Sequence, residues 1–167
     1  MGGEDRSFAD FVSAEQPGLL RLSVLLSGDR GHAEDLVQTA LLKTYRHWDR
    51  ISRSGTPSAY VRRVLVTTHA SWRRRLSTTE QVVESVPDRA APAAPGDVDE
   101  QLRAALRELP VRMRTAVVLR YFEDLSEQQT AALMACSPST VNTQTARGLA
   151  RLRAALTALQ PAGGEER

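Results

Sequence analysis

The chain has 167 residues, enough for one ordinary domain or two small ones, and a hydrophobic content of 41% supports packed cores. Its single cysteine, Cys136, cannot form an internal disulfide, and no spaced Cys/His cluster suggests zinc, so we expect neither a metal nor another cofactor. The formal net charge of +2 does not by itself indicate nucleic acid, and no apolar run is long enough to span a bilayer. Because the acidic start does not resemble a secretory signal, we expect a cytoplasmic protein without a membrane partner.

Helix-forming residues dominate the first part of the chain, where Phe8 and Phe11 begin an apolar stripe. Pro17-Gly18 interrupts that stripe, and Pro17 suits the first position of a new helix. Asp29 is expected to cap the next helix, which runs toward Trp48.

A polar segment, Asp49 to Gly55, is predicted to be a loop. Thr56-Pro57 then begins another helix, running to about Trp72. Residues 77–97 contain Pro87, Pro92 and Pro95 and have the composition of a linker.

Helical patterning returns after the linker, with a helix from Val111 to Phe122. Ser126 and Gln129 form the S-x-x-Q capping box of the next helix. Ser137-Pro138 caps the last one. The predicted fold class is all-α: two small helical domains, residues 7–76 and 98–159, joined by a flexible linker (77–97) and followed by a tail (160–167).

Positive charge is concentrated between Lys43 and Arg75, where nine basic residues accompany a single acid, Asp49. Aromatic residues are interleaved with them, including Trp48 and Trp72. Basic side chains neutralise phosphates, and aromatic rings stack on unpaired bases, so this pattern indicates a surface for single-stranded DNA. The alternative is a solvated arginine face with both tryptophans in the core.

The segment from Ser126 to Leu152 reads as a helix-turn-helix, and no acid occurs from Thr130 to Gln160. Polar side chains early in its second helix are suited to reading base edges. They are Ser139, Thr140, Asn142, Thr143 and Gln144, followed by Arg147.

An acid-bearing stretch precedes the basic region, from Ala33 to Gln38. Glu34 and Asp35 could complement the positive end of a helix dipole, or they could form a protein-docking face. Composition leaves both interpretations open.

These motifs resemble those of extracytoplasmic-function (group IV) sigma factors of the sigma-70 family, and are similar to the SigE-type subfamily of actinobacteria. GDRGHAEDLVQ (28–38) and PSAYVRRV (57–64) look like region 2. The segments 109–126, 136–141 and 147–153 look like region 4. Two motif sets in the right order, with a linker between them, make the resemblance specific.

The resemblance implies a transcription initiation factor that binds RNA polymerase core and promoter DNA and is not an enzyme. One face would bind the β′ clamp helices of polymerase through Glu34, Asp35, Gln38 and Leu42. Minus-10 recognition on the melted non-template strand would fall to Trp48, Arg50, Arg53, Thr56, Tyr60, Arg62, Arg63, Thr67 and Arg73. Region 4 would contact the β flap and read the duplex minus-35 element through Ser139, Thr140, Asn142, Thr143, Gln144 and Arg147.

Three residues depart from the family pattern: Ala135 stands where Gly is usual, Asn142 where Lys is common, and Gln129 where Glu is common. These departures affect how tightly the chain is expected to bind the minus-35 element and which base sequence it is expected to prefer there. An anti-sigma factor is left open as a further partner. The alternative function is a helix-turn-helix regulator acting without polymerase, which leaves the basic region unexplained.

Overall fold

The computed structural model describes residues 2–78 and 100–159, and these ranges belong to two compact units. In the first, α1 spans Gly2–Ser27, α2 Arg30–Tyr45, α3 Trp48–Ser54 and α4 Pro57–Thr78. In the second, α5 spans Glu100–Glu108, α6 Val111–Val117, α7 Glu127–Met134 and α8 Pro138–Leu159. A π-helical turn, Val118–Phe122, continues α6. Every regular element in the described ranges is helical, which confirms the all-α prediction. The expected linker beyond Thr78 and the tail lie outside the described residues.

Helix α1 is continuous, so the prediction that Pro17 begins a new helix is wrong. Proline in a helix removes one backbone hydrogen bond, but apolar residues on both sides of it share one face. Phe11 precedes Pro17, and Leu19 and Leu22, which are almost fully buried, follow it. Phe11 contacts Trp48 of α3, and α1 packs on α2 and α4, so tertiary contacts keep the two halves in one helix.

The predicted polar loop at 49–55 is also wrong over most of its length, because α3 occupies it. Trp48 and Ile51 are one turn apart and are 7% and 3% exposed, so they anchor the helix to the unit. The polar residues between them form its solvent face. Gly55 ends the helix in the left-handed region at φ 78°, which glycine adopts without steric cost.

Local capping signals are confirmed. Asp29 accepts hydrogen bonds from the backbone N–H groups of Gly31 and His32. α4 begins at Pro57 as expected, but it continues past Trp72 to Thr78, so the first two residues assigned to the linker are helical.

The second unit is built around α8, which packs on α5, α6 and α7. Gly148 permits the closest approach: a Cβ atom there would lie 2.7 Å from Val117 Cγ2 and 3.3 Å from the Met113 carbonyl oxygen. Arg114 is 5% exposed and donates from Nη2 to the carbonyls of Arg107 and Leu109, at 3.2 Å each. That side chain therefore joins the end of α5 to α6.

The helix-turn-helix is formed by α7 and α8. Ser126 and Gln129 make the reciprocal capping box at 3.1 and 2.9 Å. Ser137 Oγ accepts from the Thr140 N–H at 3.1 Å and so caps α8. Between the helices, Ala135 adopts φ 53°, ψ 47°, as expected for a position where glycine is usual.

Candidate protein and nucleic-acid interfaces

The outer face of α2 carries the four residues expected to bind polymerase. Glu34, Asp35, Gln38 and Leu42 are all exposed, and Leu42 is 64% exposed. The opposite face of the helix is buried in the unit. We call these four residues the α2 docking face.

The position of the two acids separates the two interpretations that the sequence left open. Glu34 and Asp35 lie in the second turn of α2, and its first turn carries no acid. Because the dipole effect fades beyond the first turn, dipole stabilisation explains them poorly. Glu34 does pair with Arg30 at 3.4 Å, but both side chains are about half exposed, so the pair contributes little. Two exposed acids on the same face of α2 as an exposed leucine suit a protein partner better.

Most of the basic region faces solvent. Of the residues assigned to minus-10 recognition, Arg50, Arg53, Thr56, Arg63 and Thr67 are exposed, and Tyr60 is half-buried. On α4 the side chains of Tyr60, Arg63 and Thr67 recur at intervals of three and four residues, on the side away from the buried Leu65. The exposed arginines make the outer side of α3 and α4 predominantly positive, with Asp49 as the exposed acid on these two helices, and we call the exposed members the α3–α4 basic surface.

Arg62 has a different environment from its neighbour Arg63. Its Nη1 donates to Glu15 Oε2 of α1 at 3.1 Å, and Ser58 donates to the other carboxylate oxygen. The Arg62 side chain is 35% exposed and that of Glu15 only 18%. Arg62 therefore links α4 to α1, whereas Arg63 lies on the outside. This ion pair could not be predicted from the sequence, because its members are 47 residues apart.

Trp48 lies in the core of the first unit. Its ring centroid is 5.1 Å from that of Phe8 and 4.9 Å from that of Phe11. Trp72 is half-buried and lines a small pocket of about 60 Å³ with His32, His69 and Arg73. Burial of Arg73 lowers the pKa of its guanidinium. For Trp48 the core alternative fits the structure, since the ring offers no free face for a base.

The outward side of α8 carries the residues assigned to the minus-35 element, but not all to the same extent. Ser139, Asn142, Thr143 and Arg147 are exposed. Thr140 is half-buried, with its hydroxyl 2.9 Å from that of Ser137. Gln144 is also half-buried.

One exposed pair was not singled out from the sequence. Tyr121 and Phe122 end the π-helical turn and are 58% and 38% exposed. Their signal is that two adjacent aromatic residues follow the fully buried Val118 and Leu119 with only Arg120 between. Among the described residues, no helix is long and apolar enough to cross a membrane.

Comparison with known proteins identifies the family of both units. Residues 11–79 match Sigma-70 region 2, and residues 99–152 match Sigma-70, region 4. The RNA polymerase sigma-E factor of Streptomyces avermitilis is 38% identical over 90% of this chain and 86% of its own. The sigma-E factor of Streptomyces coelicolor is 37% identical over 93% and 89%. A crystallised sigma factor RpoE, bound to the anti-sigma factor NepR from Bartonella quintana, superposes with a TM-score of 0.72. Its sequence is 25% identical, covering 93% of this chain and 99% of that one.

The fold, the two family matches and these relatives define an RNA polymerase sigma factor, and the chain belongs to the sigma-70 family. Within that family it is an extracytoplasmic-function (ECF) factor of the SigE type.

Proposed function

We propose that this chain directs core RNA polymerase to promoters by dividing the work between its two units. The first unit docks on the β′ clamp helices through the α2 docking face and holds the melted minus-10 strand on the α3–α4 basic surface. The second unit places α8 in the major groove of the minus-35 element and contacts the β flap. The proposal includes a cytoplasmic location beside polymerase and no catalytic step of the chain's own.

The observation that carries the proposal is the opposite charge of two surfaces in the first unit. The α2 docking face presents Glu34 and Asp35, which would be repelled by phosphates, beside the exposed Leu42. The α3–α4 basic surface presents Arg50, Arg53 and Arg63, which attract phosphates. A regulator that binds only duplex DNA has no use for the first of these surfaces. A factor that joins polymerase to DNA needs both.

Among the minus-10 residues, we assign contact with the strand to the half-buried Tyr60 and to the exposed residues of the set, which are Arg50, Arg53, Thr56, Arg63 and Thr67. Base capture requires unstacking, which costs a few kcal/mol and must be offset by contacts to the base. Tyr60 is the aromatic residue of this set that is only half-buried, so it is our candidate for the stacking contact. Arg62 acts through its link to α1.

Run-off transcription with purified core polymerase and promoter-bearing genomic fragments tests the proposal. We expect discrete transcripts with the chain and none with core alone, together with copurification of the chain with β′. A footprint on duplex DNA by the chain alone, with no association with core, would instead establish the regulator alternative. Because the RpoE structure holds an anti-sigma factor, we extend the proposal to such a partner. Its test is suppression of the same transcripts by the candidate partner.

A further inference from the structure

Two residues near the start of α8 carry the same amide chemistry in different surroundings. Asn142 is exposed, whereas Gln144 is half-buried. The inner side of the helix is fixed by Val141, Thr145 and Gly148, all buried against the rest of the unit. The sequence places both amides in the set expected to read base edges, but only Asn142 is exposed.

The residues around Asn142 allow its amide to approach a base. Ser139 and Ala146 lie about one turn before and after it, and both are exposed and small. A short side chain such as asparagine reaches a base edge only if its neighbours do not hold the helix away from the groove. Thr143, the next residue, directs its hydroxyl to the Ser139 carbonyl at 3.1 Å, inside the helix itself.

The Asn142 amide is also uncommitted. Within residues 2–78 and 100–159, the structure shows no hydrogen bond to this side chain. An asparagine amide offers one acceptor and two donors. Adenine presents N7 as an acceptor and N6 as a donor in the major groove, so one amide satisfies both positions at once. The other three bases do not offer this pair.

We propose that Asn142 is the residue that specifies an adenine in the minus-35 element, and that Gln144 does not read a base. The proposal rests on the proposed function, because it requires α8 to lie in the major groove. It differs from the expectation that gave both amides the same role. It also gives a base-reading role to a position where the family more commonly has Lys.

The test uses holoenzyme assembled from core and the full-length chain, selecting initiating promoters from a pool randomised through the minus-35 element. We expect the wild type to prefer adenine at one position and Asn142→Ala to reduce that preference about tenfold. Gln144→Ala tests the second half of the proposal, since it removes an amide two residues away. It should keep the adenine preference. Both variants should have the wild-type circular dichroism spectrum.

A second arm probes the atom that is read. Replacing the selected adenine with 7-deazaadenine removes the N7 acceptor. This replacement should weaken initiation by wild type and by Gln144→Ala, and should have no further effect on Asn142→Ala. Loss of the adenine preference in Gln144→Ala, or an unchanged preference in Asn142→Ala, would overturn the inference. If the wild-type holoenzyme selects no promoter at all, the proposed function fails instead.

Discussion

Replacing Gly148 with alanine tests how the second unit is held together. The new Cβ would stand 2.7 Å from Val117 Cγ2, a distance that real Cβ atoms essentially never show, and 3.3 Å from a backbone oxygen. Val117 is 1% exposed and β-branched, so its side chain has one strongly preferred rotamer in a helix and no space in which to turn. Relief therefore requires α6 and α8 to move apart.

The expected cost follows from two opposing effects. Overpacking in a well-packed core costs about 1–3 kcal/mol. Alanine is favoured over glycine in a helix interior by roughly 0.5–1 kcal/mol, which offsets part of that cost. We therefore expect Gly148→Ala to lower the free energy of unfolding of the second unit by about 1–2 kcal/mol. The steric term exceeds the propensity term because both contacted groups are fixed.

Urea unfolding of the full chain, followed by two probes, separates the units. Both tryptophans, Trp48 and Trp72, lie in the first unit, so their fluorescence reports its unfolding, whereas circular dichroism at 222 nm reports helices of both units. The variant should shift the dichroism transition to lower urea and leave the fluorescence transition in place. Gly31→Ala is the matched control, since a Cβ there meets nothing closer than 3.8 Å. Wild-type or greater stability of Gly148→Ala would refute the reasoning about α6 and α8.

Three further predictions concern the proposed interfaces. Asp35→Arg with Gln38→Ala should weaken core binding, mainly through a slower association rate, without changing circular dichroism; unchanged core affinity would show that the α2 docking face was assigned wrongly. Arg63→Ala should reduce the permanganate reactivity of thymines in the open complex. Arg62→Ala should mainly lower the free energy of unfolding of the first unit. We expect a loss of at most about 1 kcal/mol, because the Arg62–Glu15 ion pair is partly exposed. Equal melting defects in these two variants would contradict that division. Arg147→Ala should weaken promoter binding across sequences and lower the salt slope by about one unit, so a slope equal to the wild type would remove Arg147 from phosphate contact.

Structural features that depend only on neighbouring residues could be predicted from the sequence. The caps at Asp29 and at Ser126–Gln129 follow from chemistry within three residues, and both are present. The continuity of α1 through Pro17 could not be predicted in the same way. That continuity depends on packing against helices that come later in the chain. This packing outweighs the local tendency of proline to begin a new helix.

The same limit applies to the candidate sites. Charge segregation correctly indicated basic and acidic segments, but it could not show that Arg62 is tied to Glu15 while Arg63 is exposed. Composition placed Asn142 and Gln144 together, and only their burial separates them. The residue types in each segment were therefore enough to predict what kind of surface it forms. The accessible members of each set were fixed by contacts between helices.

The left-handed conformation of Ala135 affects how rigidly the DNA-reading helix is mounted. A side chain in this region costs about 1–2 kcal/mol, which glycine would not incur. Alanine, however, has fewer backbone states than glycine in the unfolded chain, which returns roughly 0.4–1 kcal/mol. The cost exceeds this gain, so alanine makes the elbow between α7 and α8 somewhat less stable than glycine would, but it also makes it stiffer, since glycine would allow the elbow to bend more freely. We therefore expect the elbow to hold the angle between α7 and α8 more tightly than a glycine elbow would, so that in the proposed complex the promoter has to match that angle.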